Sequence, residues 1–131
     1  MRRLTLQEAA SILRSWQEEE RLIQFSICDA PIETGFSSFA LGIVEEVSDD
    51  YVRLDGRRLN AEHAIGGGRR YGCVFSLLRA TGFILWDARD VPPEESRDKE
   101  LFQETYDLTL TIVFPSGRCV LHTFLREADR V

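Results

Sequence analysis

Apolar positions recur along the chain with two periods, and the change from one to the other marks its first structural boundary. Leu6, Ala9, Ala10, Leu13 and Trp16 fall at helical spacing and form one stripe. Ahead of them, Thr5-Leu6-Gln7-Glu8 is a capping box: the Thr5 hydroxyl can accept from the Glu8 backbone N–H while the Glu8 carboxylate accepts from the Thr5 N–H. Leu4 and Ala9 are placed as a hydrophobic staple across that cap. The helix closes at Glu18-Glu19-Glu20, where carboxylates oppose the helix dipole, so a frayed, solvated end is expected.

From Arg21 the period falls to two. Ile23, Phe25 and Ile27 share one apolar face, and Leu22, Gln24, Ser26 and Cys28 share the other, the pattern of a half-buried strand. Asp29-Ala30-Pro31 and Thr34-Gly35 are turn signals. A second strand is predicted over Phe39–Val47. Ser48-Asp49-Asp50 forms a tight turn, and Tyr51–Leu54 returns antiparallel until Asp55-Gly56. Residues 57–70 read as irregular. Further strands are predicted over Tyr71–Leu78 and Phe83–Trp86. Residues 88–106 form a mobile acidic segment in which Glu94–Glu104 could make a short helix, with Glu95 and Lys99 spaced as an i,i+4 pair. The last hairpin carries the strongest alternation, through Leu108, Leu110, Ile112 and Phe114. It is joined to Arg118–Arg126 by what reads as a three-residue connection with Gly117 left-handed. In that register His122 faces Leu110 on a mostly apolar face.

Composition narrows the class. With 131 residues, 44% apolar and 29% charged, the chain suits one self-sufficient domain spanning 1–131. Its net charge of -6 argues against binding a polyanion such as nucleic acid. Of its cations only Lys99 is a lysine; arginine suits bidentate carboxylate or phosphate contacts, but a coding bias is the simpler source of the excess. Cys28, Cys73 and Cys119 are an odd set at wide gaps, neither a disulfide framework nor zinc spacing, and each sits in an apolar stretch as a small core residue. No signal peptide or membrane-length apolar run is present, so a reducing cytoplasm is the expected setting.

Candidate chemistry is sparse. Cys119 and His122 suggest a nucleophile and base, but three residues along a strand point to opposite faces. Glu62 and His63 read as loop residues. The strongest candidate is Gly66-Gly67-Gly68-Arg69-Arg70, whose consecutive N–H groups could form an anion nest completed by arginine, with Arg57 and Arg58 nearby. It is neither a Walker loop nor a dinucleotide fingerprint. Tyr51–Arg79 holds six arginines against Asp55 and Glu62, a local +4. Residues 88–107 hold seven acids against Arg89, Arg97 and Lys99, a local -4. A flexible glycine linker, with the basic and acidic stretches lying near each other as a solvated surface pair, accounts for both more simply than a ligand site does. The aromatics, Phe25, Phe36, Phe39, Phe75, Phe83, Trp86, Phe102, Phe114 and Phe124, sit mostly at strand positions and read as core.

The order helix, strand, then Gly42-Ile43-Val44-Glu45-Glu46-Val47-Ser48-Asp49-Asp50-Tyr51-Val52-Arg53-Leu54 resembles the opening of the Sm-like small β-barrel family over residues 5–56. Glycine in the second strand permits the bend that family requires. The resemblance implies a bent, barrel-like sheet and ring or dimer formation. The family's RNA-contact motif does not appear in the later strands.

The sequence therefore predicts an α+β fold: an N-terminal amphipathic helix and a curved, mainly antiparallel sheet of six or seven strands, partly closed as a barrel. The expected function is a non-catalytic interaction or assembly module with a protein partner or a second copy of itself, without cofactor, metal or membrane. The alternative is an anion-, nucleotide- or RNA-phosphate-binding domain built on Gly66–Arg70, with residues 92–104 as a lid.

Overall fold

A computed structural model describes residues 1–29, 37–55, 72–90 and 103–126 of the chain. Its elements run β1 (Arg2–Leu4), α1 (Leu6–Glu18), β2 (Ile23–Asp29), β3 (Ser37–Val47), β4 (Tyr51–Asp55), β5 (Gly72–Ser76), β6 (Gly82–Asp87), a 3-10 turn (Ala88–Asp90), β7 (Tyr106–Phe114) and β8 (Gly117–Phe124). All ladders among the described residues are antiparallel. Together the strands make one eight-stranded sheet in the order β1-β6-β7-β8-β2-β3-β4-β5. The α+β class holds, with eight strands among the described residues where the sequence predicts six or seven. The extra one is β1, whose three residues are too few to show alternation but pair fully, Arg2 with Leu85 and Leu4 with Phe83.

The sheet is open: among the described residues β1 and β5 each have one ladder neighbour. It is nevertheless strongly curled. Laid flat, β5 and β6 would stand six strand spacings apart, roughly 29 Å. Only five residues, 77–81, join Ser76 to Gly82, a reach of about 20 Å even when extended. Phe75 on β5 also stacks on Phe114 of β7 at 6.4 Å between ring centroids, across the concave side. One core fills that concavity. It unites Ala9, Leu13 and Trp16 of α1 with Ile23, Phe25, Val44, Val52, Leu54, Leu77, Phe83, Leu110, Ile112, Cys119 and Leu121.

Both ends of α1 are fixed by hydrogen bonds. The capping box forms as the sequence indicates, with Glu8 N–H to Thr5 Oγ1 at 3.2 Å and Thr5 N–H to Glu8 Oε1 at 3.0 Å. The Thr5 backbone N–H, and after it the Thr5 hydroxyl, hold the Glu8 carboxyl below its ordinary range. The C-terminus is not frayed. Glu20 N–H donates to Gln17 O and Arg21 N–H to Trp16 O, at 3.1 and 3.0 Å, with Glu20 left-handed at φ 51°. That is a Schellman motif with glutamate where glycine is usual. Arg21 then anchors this end. Only 9% exposed, its Nη2 donates to Phe124 O at 2.8 Å and to Asp107 Oδ2 at 3.2 Å.

The final hairpin departs from expectation by one residue. Phe114 pairs with Gly117, so Pro115-Ser116 is a two-residue turn and Gly117 (φ 159°) joins the ladder. Every later pair moves with it: His122 faces Thr109, and Leu110 faces Leu121. A one-residue slip exchanges the faces of a strand. The observed register buries Cys119, Leu121 and Thr123 almost completely, whereas the three-residue register would have turned Val120 and His122 inward. Packing of Leu121 and Cys119 against Leu110 and Ile112 decides it.

Candidate functional site

Gly66, Gly67, Gly68, Arg69, Arg70, Arg57 and Arg58 lie outside the described residues, as do Glu62, His63, Glu95 and Lys99. Among the described residues no cluster of three or more His, Cys, Asp or Glu could hold a metal ion, and no helix is long and apolar enough to cross a membrane. Cys119 and His122 do lie on opposite faces. Cys119 is buried in the core beside Ile112, and His122 is on the outer, convex face. Cys73, on β5, is partly buried, and burial raises its thiol pKa.

A bulge shapes the outer face around His122. Between the pairs Tyr106–Phe124 and Thr109–His122, β7 carries one more residue than β8. The insertion reverses the alternation and puts Tyr106 on the convex side with His122 and Phe124. Their rings meet at 4.9 and 5.2 Å. The Tyr106 hydroxyl donates to Gln24 Oε1 at 2.6 Å, and burial raises its pKa. Thr109 Oγ1 lies 2.7 Å from His122 Nδ1. Burial lowers the imidazole pKa from 6.5 to about 4, so the ring is neutral near pH 7. On the concave side, Thr123 closes the gap in the ladder: its hydroxyl accepts from Leu108 N–H at 3.1 Å and donates to Leu108 O at 3.3 Å.

Thr109 and His122 have the hydrogen bond of a nucleophile and its base. Thr109 is only 6% exposed, however, so its hydroxyl is not presented to a substrate. The pair works instead as a satisfied polar contact within the sheet. Reading Pro115-Ser116 as a two-residue turn would have brought them together, since that register sets 109 opposite 122.

Beside Tyr106 a cleft of about 450 Å³ is lined by Asp87, Ala88, Arg89, Gln103, Asp107 and Leu125. Its charged groups are paired. The Arg89 guanidinium bonds both Asp87 oxygens, at 3.2 and 3.3 Å, and Asp107 holds Arg21. The Arg89 backbone N–H, at 2.9 Å, is the largest cause holding the Asp87 carboxyl below its ordinary range.

The two sheet edges differ sharply. On β1, Arg2 and Arg3 are exposed. The strand is short and charged, two of the usual protections of a free edge. The other edge strand, β5, reads Gly72-Cys73-Val74-Phe75-Ser76 and has no charge. Val74 is 63% exposed, as is Leu78 just beyond the strand. Behind Val74 in register stands Arg53, occupied by Glu46 Oε2 at 3.0 Å and Glu45 Oε2 at 3.5 Å. A bulge after Val44 gives β3 one extra residue there, which brings both carboxylates within reach of Arg53. Sequence reading missed this edge because Val74 and Leu78 look like core until the ladder order is known. Compared with protein-family models, curated proteins and solved structures, the chain matches none.

Proposed function

We propose that this chain is a non-catalytic interaction or assembly module whose contact surface is the β5 edge. The observation that carries this reading is the pair of exposed aliphatic side chains, Val74 on a strand edge without charge and Leu78 just beyond the strand. An extended segment added to such an edge gains main-chain hydrogen bonds, and alternate side chains give selectivity. An edge that stayed in water would ordinarily carry lysine, proline or a bulge. The rest of the described chemistry supports a binding role over turnover: Cys119 and His122 are separated by the sheet, and the Thr109–His122 pair is covered.

The test is site-specific photo-crosslinking of the whole chain in its native cell. A benzophenone residue placed at Val74 or at Leu78 should give a discrete protein adduct, and the same group at Arg3 on β1 should not. No adduct from either position, together with thermal stabilisation by inorganic phosphate or short RNA, would replace this reading with the anion-binding one built on Gly66–Arg70.

A further inference from the structure

Resting on the interaction reading above, we infer that the occupant of the β5 edge is a second copy of this chain, paired antiparallel about a twofold axis through Val74. Two observations on the strand select this partner. First, β5 is electrically silent in a chain of net charge -6. Two copies approaching by most other surfaces bring like charge together, whereas here no side chain of either strand repels its counterpart. A segment recognised by charge would need an ionic group on the strand, and β5 carries none, while the Arg53 guanidinium opposite Val74 in register is already held by Glu45 and Glu46.

Second, the strand is self-complementary. Val74 is the middle of its five residues. A twofold axis there sets Val74 against its symmetry mate, Cys73 against Phe75, and Gly72 against Ser76. Small residues lie at both ends and the only exposed β-branched side chain at the centre. An isologous contact requires the same patch on both partners, and one exposed valine at the axis meets that requirement. Cross-strand β-branched pairs are among the favourable ones. The other edge, β1, offers no such match, since its exposed Arg2 and Arg3 would meet another pair of arginines.

The purified full chain tests this in two measurements. Sedimentation should show a dimer at micromolar concentration that Val74→Arg converts to a folded monomer, the fold being checked by circular dichroism. In a Cys73→Ser background, Val74→Cys should form an intermolecular disulfide under mild oxidation. Directly opposed Cβ atoms in such a ladder lie about 4.5–5.5 Å apart, close to the disulfide range. A control cysteine at Arg3 should give none. A dimer that survives Val74→Arg and leaves Val74→Cys uncrosslinked would overturn the pairing. A monomer at all concentrations would overturn the second copy as occupant, while a photo-adduct of unequal mass from Val74 would leave the broader interaction reading standing.

Discussion

Acid should unfold this protein through His122, and the size of the effect follows from where the ring sits. In the unfolded chain the imidazole takes up its proton near pH 6.5; in the fold, behind Tyr106 and bonded to Thr109, it does so near 4. Between those values the unfolded state binds the extra proton, so lowering the pH draws the equilibrium toward unfolding. The contribution is fully present above pH 6.5, declines below it and is gone once the pH has passed 4. At about 1.4 kcal/mol per tenfold change in proton affinity, the whole displacement amounts to roughly 3 kcal/mol. Partial solvation of the ring makes that an upper bound. Urea unfolding followed by the fluorescence of the buried Trp16 gives the stability at each pH. Carboxylates such as Asp87 also lose stabilising contacts in acid, but they do so equally in a His122→Gln variant. The wild-type protein should therefore lose about 2 kcal/mol more than the variant between pH 7 and pH 5. Parallel stability curves for the two would refute the assignment of a buried, neutral imidazole.

Three further outcomes follow from the same contacts. Thr123→Val keeps the shape of a fully buried side chain but strips both partners from Leu108 at the β7 bulge, and should cost about 1–3 kcal/mol in the urea midpoint analysis. Arg21→Leu leaves Asp107 and the Phe124 carbonyl without their guanidinium; because Asp107 stays 31% exposed, the loss should be nearer 2 kcal/mol than the value for a fully buried pair. Glu20→Gly relieves a left-handed residue at the α1 terminus and should raise stability by about 1 kcal/mol, seen as a higher Tm without change in the circular dichroism spectrum.

The parts of this fold that were legible in the sequence are those set by local chemistry. The Thr5–Glu8 box and the Leu13–Trp16 stripe specify α1 from within a single turn or two. The Ile23–Phe25 alternation specifies β2 in the same way. What was not legible depends on counting across strands. One residue in the Pro115-Ser116 turn moved His122 from Leu110 to Thr109. One residue in the bulge before Thr109 moved Tyr106 to the outer face. Neither leaves a mark in composition or periodicity, because the ladder decides them by burying Leu121 and Cys119. The curl needed still more: only the five-residue link from β5 to β6 and the Phe75–Phe114 stack reveal it. The β5 edge became visible as a candidate surface only when the strand order placed it last. The anion-binding segment Gly66–Arg70, prominent in sequence, lies outside the described residues.

Amide hydrogen exchange across Gly72–Ser76, followed over a range of protein concentration, tests the edge-pairing account most directly. If two copies pair there, β5 is strongly protected when the protein is concentrated and becomes faster-exchanging on dilution, with the amides of β7 and β8 unchanged. Exchange in β5 that is independent of concentration and untouched by Val74→Arg would contradict it.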